Sequence, residues 1–412
     1  MKKRVVITGL GAISPVGNTV EETFTNLVNG VGGIDYIKNF DTSRSKIKIA
    51  GELKNLDFEQ YLDKKDIKRS DRLMVLGTIA AIQAYEDSGL KDTDYNPYRF
   101  GIFVTSGIGG LNTIEEGVTA SALRGPDRVS PFFIPNSIIN MVGGMISMKF
   151  KVKGPNIPVV TACSAATNSI GEAFRNIRDG YIDLAFAGGA EASINEIGIA
   201  GFTSIKALST EEDPRIASRP FDKERSGFVM GEGSGVLILE AYDHAVARGA
   251  KIYGEIVGYG STSDAFHMTA PDDEAEGLTE AIKIALNDAK VEPSQIGYIN
   301  AHGTSTYLND KIETLGIKKA FGEHAYKLNI SSTKGATGHM LGATGAVESI
   351  VCVKALQTSL IPPTINYKTP DPECDLNYTP NKAVSKPIEY AVNINVGFGG
   401  QNAVLIFKKY EA

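Results

Sequence analysis

Five times along the chain a run of β-branched and other apolar residues stops at glycines or other small residues. The runs are RVVITGLGAIS near the N-terminus, RFGIFVTSGIGG from Arg99, LAFAGGAEAS from Leu184, GYINAHGTST from Gly297 and AVNINVGFGG from Ala391. Such runs read as strands buried on both faces, the first as a strand over Val5–Thr8 that breaks into a glycine turn. Segments with apolar residues at helical spacing alternate with them, as in EETFTNLVNG and in DRLMVLGTIAAIQAYEDSGL (71–90), which ends on a C-capping glycine. The fold class is therefore α/β, with hydrophobic central sheets. No low-complexity run or linker divides the chain, and the natural boundary lies near residue 250, where a helix gives way to a strand. Residues 1–250 and 251–412 form two halves, each expected to hold a sheet, with a seam suited to an active site.

Apolar residues make up 42% of the 412, ample for a large core. The basic start, MKKRVVITGLG, has too short an apolar run for a signal peptide, and no stretch approaches a membrane span, so a cytoplasmic protein without membrane contact is expected. The net charge of −6 argues against general nucleic-acid binding. The cysteines, Cys163, Cys352 and Cys374, show no CxxC spacing, which indicates neither disulfide framework nor metal site. GLGAIS lacks the GxGxxG spacing of a dinucleotide fingerprint.

Cys163 lies in VVTACSAATNSIGEAF, where IPVVTA reads as a strand and the following residues as a helix with apolar positions at Ile170, Ala173, Phe174 and Ile177. At that junction free N–H groups and the positive end of a helix dipole favour a thiolate, although buried cysteine is as often simple filler. Of the five histidines, His244 and His324 lie in polar segments and read as solvated, and His267 is a loop residue of either kind. His302 and His339 each follow or sit within small, hydroxyl-rich segments, NAHGTST and STKGATGHMLGATGAVE.

TACSAA, NAHGTST, STKGATGH with LGATGAVE, and GFGGQN, in that order, resemble the beta-ketoacyl-[acyl-carrier-protein] synthases, closest to the synthase II type. The likeness extends through RVVITGLGAISPVGN, SGIGG, RVSPFFIPN, RPFDKERSGFVMGEGSG and TPDPECDLNY. It implies a thiolase-like fold of duplicated halves in five αβαβα layers, a homodimer, and chemistry that needs no cofactor or metal because substrates arrive on the phosphopantetheine arm of acyl carrier protein. It implies decarboxylative condensation: Cys163 takes the acyl chain as a thioester, and His302 and His339 stabilise the charge formed as the malonyl group loses CO2. Lys334 sets the local field, and the Phe398 N–H joins that of Cys163 in an oxyanion hole while the Phe398 ring gates the pocket. Thr304 and Thr306 match residues that bond the pantetheine arm, Ile108 caps the acyl chain, and Phe133 and Phe202 border its tunnel. Glu348 orders the site as a buried carboxylate, and Gly399 lets the backbone approach the substrate.

The chain departs from the family pattern at Tyr307, Gly335 and Gln401, where proline, serine, and threonine or histidine are common; none is a catalytic position. A basic patch for the acidic carrier is expected from Lys64, Lys65, Lys68, Arg69 and Arg72, with Arg124, Arg128 and Lys206 in addition. The same residues also read as an ordinary solvated face. A ketosynthase of a polyketide pathway and a non-catalytic carrier-protein or lipid-binding module share these features in part. A biosynthetic thiolase is disfavoured because no second cysteine follows Cys374.

Overall fold

The computed structural model describes residues 2–411. Nine strands form its main sheet: β1 (Val5–Ile13), β2 (Phe100–Thr105), β3 (Leu184–Glu191), β4 (Gly233–Ala241), β5 (Gly254–Ser263), β6 (Ile296–Asn300), β7 (Asn329–Ser331), β8 (Tyr390–Gly397) and β9 (Gln401–Lys408). Their order is β2-β3-β4-β1-β5-β9-β8-β6-β7. Within the first half β1 runs antiparallel to β4, β4 antiparallel to β3, and β3 parallel to β2. The second half repeats this scheme with β5, β9, β8 and β6, adding β7 at the edge. Two separate sheets were expected; the blocks are instead continuous, because β1 pairs with β5 through Val5–Ile256, Val6–Glu255 and Ile7–Gly254.

Five of the helices build the layers around it: α1 (Arg72–Asp87), α2 (Ala165–Arg178), α3 (Glu276–Ala289), α4 (Tyr307–Phe321) and α5 (Thr344–Thr358). Asp71 caps α1 by accepting the Leu73 N–H at 2.9 Å, and Gly89 follows its end at φ +67°. α2 and α5 touch each other and strands of both halves, α1 covers the outer face of the first block, and α3 covers that of the second. The result is five layers, αβαβα, with one apolar core on each side of the central helices and their sheets. α5 is buried over Thr344–Leu356, which explains why its sequence lacks a polar face.

β1 does not break at Thr8. It continues through Gly9 and Gly11 because α1 lies so close that a Cβ there would sit 2.2 Å from the Ala84 oxygen and 2.0 Å from the Ala80 oxygen. Gly258 and Gly260 of β5 stand in the same relation to Ala285 and Ala281 of α3, at 2.3 and 2.0 Å. The glycines are contacts, not turns. IPVVTA is likewise not a strand of the sheet: it runs extended along the outer edge of β2, where Ile157 N–H donates to the Ile102 oxygen at 2.9 Å. Pro155 and Pro158 remove donors that a full ladder would need.

The central layer is fastened at Gly171 of α2, where an added Cβ would fall 2.4 Å from the Tyr259 ring of β5. Gly171→Ala is therefore expected to destabilise the protein by about 1–3 kcal/mol despite its better helix propensity. Urea unfolding measures this, and a Gly171→Ala midpoint at or above wild type would contradict the tight seam.

Candidate active site

Cys163 occupies a tight turn, Ala162–Ser164, immediately before α2. Ala162 adopts φ +51°, and the turn is held from below: Ser164 Oγ donates to the Thr161 oxygen at 2.8 Å, and Asn168 Nδ2 donates to Thr161 Oγ1 at 2.8 Å. Asn168 is itself fixed by the Tyr259 hydroxyl at 2.6 Å. The Cys163 side chain is nearly covered, and the backbone N–H groups of Phe398 and of Cys163 itself favour its ionised form. Burial pushes the thiol up to about 12, against the pull of Lys334 and those two N–H groups. The expected thiolate is thus outweighed by desolvation, and the resting group is a thiol.

His302 leaves the end of β6, and His339 precedes the Leu341–Ala343 turn that opens α5. Their rings meet edge to face with centroids 5.3 Å apart. Burial holds both well below the ordinary histidine range, reinforced by Lys334 and, for His302, by His339. Both are neutral near pH 7. The Asn395 amide donates to His302 Nδ1 at 3.3 Å, which places the ring proton on Nε2. His339 Nδ1 lies 3.1 Å from Thr344 Oγ1. The backbone around His302 is clamped by Glu313, whose oxygens accept the His302 and Gly303 N–H groups at 2.6 and 2.7 Å. Burial pushes that carboxyl up to about 8.

Behind the histidines Lys334 Nζ donates to Glu348 Oε1 at 2.6 Å, both side chains being 1% exposed. Asn395 Nδ2 donates to Glu348 Oε2 at 2.8 Å, and its Oδ1 accepts from the Thr167 hydroxyl. A cavity of about 440 Å³ opens over these groups, lined by Cys163, His302, His339, Thr304, Thr306 and Phe398, with Phe202, Lys206 and Arg225 farther out. The two threonine hydroxyls are 2.8 Å apart. Ile108 packs with Phe202, Ile194, Leu341 and Cys163 in an apolar cluster beside the cavity.

Lys334 and Glu348 support the cavity from behind its lining, Glu348 as the buried, ordering carboxylate that the resemblance implies. Other expected site residues lie elsewhere. Gly399 does not face the cavity, because its N–H donates to the Met268 oxygen at 2.8 Å. Phe133 belongs to a different cleft, since its ring fills the space left by Gly117, where a Cβ would be 2.4 Å away. The basic residues divide between two places. Lys206 stands at the mouth of the cavity, whereas Lys68, Arg69, Arg124 and Arg128 line the second cleft. Lys64 and Lys65 share the helix Lys64–Arg69, and Lys64 is engaged with Glu59 at 3.1 Å. Arg72 is not free for a partner, because its guanidinium bonds both oxygens of buried Glu232 at 2.7 and 2.6 Å. His244 is not simply solvated: its Nδ1 lies 2.5 Å from an oxygen of buried Glu240. His324 bonds the Ile296 oxygen at 2.9 Å. His267 is exposed and accepts the Thr269 and Ala270 N–H groups at 3.1 Å each.

Sequence reasoning passed over Asn395, Thr344, Glu313 and Arg225. Asn393 and Asn395 alternate with apolar residues in VNINVG, so two amides share one face of a buried strand, and that pattern is a usable signal. Arg225 holds the Thr306 and Tyr307 carbonyls at 3.2 and 3.0 Å and pairs with Asp371 at 2.5 Å.

Residues 2–245 match the model of the beta-ketoacyl synthase N-terminal domain, and residues 253–368 match that of the C-terminal domain. The chain belongs to the beta-ketoacyl synthase family. The synthase is 50% identical over 410 residues to a 3-oxoacyl-[acyl-carrier-protein] synthase 2 of Staphylococcus aureus, covering 100% of this chain and 99% of the relative. A protein of the same name from Synechocystis is 48% identical over 411 residues, with the same coverage. Among solved structures, the ishigamide ketosynthase/chain length factor is similar at TM-score 0.94 and 34% identity, covering all of both chains. A beta-ketoacyl synthase from Burkholderia phymatum is similar at TM-score 0.93 and 33% identity, covering 99% of this chain and 100% of that one. A type II polyketide ketosynthase structure with its acyl-carrier protein, bound to a hexaketide, is similar at TM-score 0.92 and 33% identity over the full length of both.

The ion pair beneath the site gives a sharp expectation for the synthase. Lys334→Met strands the Glu348 carboxylate without a countercharge and should cost about 3–5 kcal/mol, whereas Lys334→Met with Glu348→Leu should recover much of that loss. Urea unfolding of the single and double variants measures the difference; equal losses would contradict a desolvated pair.

Proposed function

We propose that the synthase is a 3-oxoacyl-[acyl-carrier-protein] synthase II that elongates acyl chains by two carbons in fatty acid synthesis, working in the cytoplasm. The observation that carries this reading is that Cys163 lines one cavity with Phe398 and with two neutral imidazoles, those of His302 and His339. Acyl transfer joins Cys163 Sγ to the acyl carbon and releases the carrier thiol, which takes up the proton that Cys163 loses. Because the resting group is a thiol, a neutral histidine serves as acceptor for that proton. The N–H groups of Cys163 and Phe398 hold the oxygen of each tetrahedral intermediate. In the second half-reaction the malonyl thioester loses CO2, and the N–H donors of His302 and His339 take the charge that builds on its carbonyl oxygen. The resulting carbanion attacks the Cys163 thioester, forming the new carbon–carbon bond and freeing the sulfur.

Thr304 and Thr306 meet the pantetheine arm at the cavity mouth, and the chain lies toward Ile108 and Phe202. Lys206 at that mouth and the basic Lys64–Arg69 helix attract an acidic carrier protein, an association that weakens with salt. A homodimer covers the exposed edge segment that carries Ile157 and Val160, which are 50% and 48% exposed. Ile157 and Val160 lie on the extended segment that leads to Cys163, so the dimer contact backs the nucleophile turn.

Cys163→Ala should abolish condensation of acyl and malonyl carrier proteins, and full retention would end the nucleophile assignment. Products from a chain-length series, read by mass, separate this activity from a polyketide ketosynthase, which would act only on polyketide intermediates. His302→Ala should lower the rate by about 10²–10³-fold if its donor serves the transition state. Neutral histidines also predict no loss of rate as the pH falls through 6.5, the ordinary histidine value. Alkylation of Cys163 by iodoacetamide should keep rising between about pH 7 and about pH 9, since the thiol ionises only toward 12. A plateau of alkylation below pH ~8 would contradict the raised thiol.

A further inference from the structure

Glu191, the last residue of β3, is wholly buried with no cation among its bonding partners. Its Oε1 accepts the Ser106 and Ser193 hydroxyls at 3.0 and 2.9 Å, and its Oε2 accepts the Gly107 and Gly342 N–H groups at 2.8 and 3.0 Å. Four donors satisfy the carboxylate in place of a countercharge.

The donors come from two segments that matter. Ser106 Oγ, while donating to Glu191, accepts the N–H groups of Ile108 and Gly109 at 3.3 and 2.9 Å, so the Ser106–Gly109 loop hangs on this one carboxylate. Gly342 lies in the Leu341–Ala343 turn that follows His339, and a Cβ there would be 2.0 Å from the Gly107 nitrogen. Ile108 and Leu341 share the apolar cluster around Cys163.

The duplicated fold shows what the carboxylate replaces. Gly342 holds in the second half the place of Cys163 in the first, one residue into a 3-10 turn ahead of a central helix. Leu341 and Ala162, the residues before them, both have positive φ, +43° and +51°. Near Cys163 the backbone N–H groups of Cys163 and Phe398 favour a charged sulfur. Near Gly342 two N–H groups converge on Glu191 instead.

We propose that Glu191 is a positioning residue which, by holding the Ser106–Gly109 loop against the Leu341–Ala343 turn, sets Ile108 as a wall of the acyl site and so governs which chain lengths Cys163 accepts. This rests on the condensing reading above. A Gln in place of Glu191 keeps an oxygen for the Gly107 and Gly342 N–H groups but turns its NH2 toward Ser106, whose oxygen already accepts two N–H groups. Glu191→Gln thus removes the acceptor that Ser106 shares with Ser193 while keeping the one for the two N–H groups, and Ser106→Ala isolates the Ser106 part.

The test compares wild type, Glu191→Gln, Ser106→Ala and the double variant, each full length, for acylation of Cys163 by butyryl and palmitoyl carrier protein, followed by intact-protein mass. The expected result is a shift of about tenfold in the palmitoyl-to-butyryl ratio of acylation rates toward the long chain in Glu191→Gln. Ser106→Ala should reproduce the shift, and the double variant should show no further change. An unchanged ratio in both single variants would overturn the proposal, whether or not the absolute rates fall, because a merely structural role slows both chains alike. Failure of wild type to form any acyl adduct on Cys163 would instead overturn the condensing reading.

Discussion

The site depends on one buried ion pair and the amide that extends it. Lys334 and Glu348 face each other fully buried, and Asn395 carries the arrangement outward, donating to Glu348 and to His302 while accepting from Thr167 of α2. That chain of bonds runs from the second half into the helix that begins at Cys163. It fixes the tautomer of His302 and ties the two central helices to β8. Burial holds both imidazoles well below the ordinary histidine range, and the positive charge of Lys334 adds to that effect.

Much of the fold was legible because strand and helix periods were unmixed, and the layered α/β class followed. What the strands did with their glycines was not, since GLG in β1 and GYG in β5 look like turn chemistry until a helix is laid against them. The edge segment before Cys163 misled for the opposite reason. Its β-branched residues favour an extended chain, but two prolines decide whether that chain can pair.

Within the site, Cys163, His302 and His339 stood out by their small-residue surroundings and Thr304, Thr306 and Phe398 by the resemblance, and all six line one cavity. Lys334 and Glu348 were found too, Glu348 as a buried carboxylate through the resemblance, whereas the surface that an isolated side chain serves leaves no mark on a local pattern. Phe133 and the scattered basic residues show the same limit. An aromatic or a lysine is suited to many surfaces, and only the packing around Gly117 or the partner of Arg72 says which one it serves.

The paired turns at Cys163 and Gly342 bear on how such a molecule can arise. If the two halves were identical chains associating by symmetry, each change at one turn would be imposed on the other, and the molecule would carry two equal half-made centres. Joined in one polypeptide, the turns mutate independently. One can keep a sulfur and leave its N–H groups open to a ligand, while the other gives up its side chain and is sealed by a neighbouring carboxylate. Asymmetry between chemically equivalent places is thus a property of the covalent link between residues 1–250 and the rest.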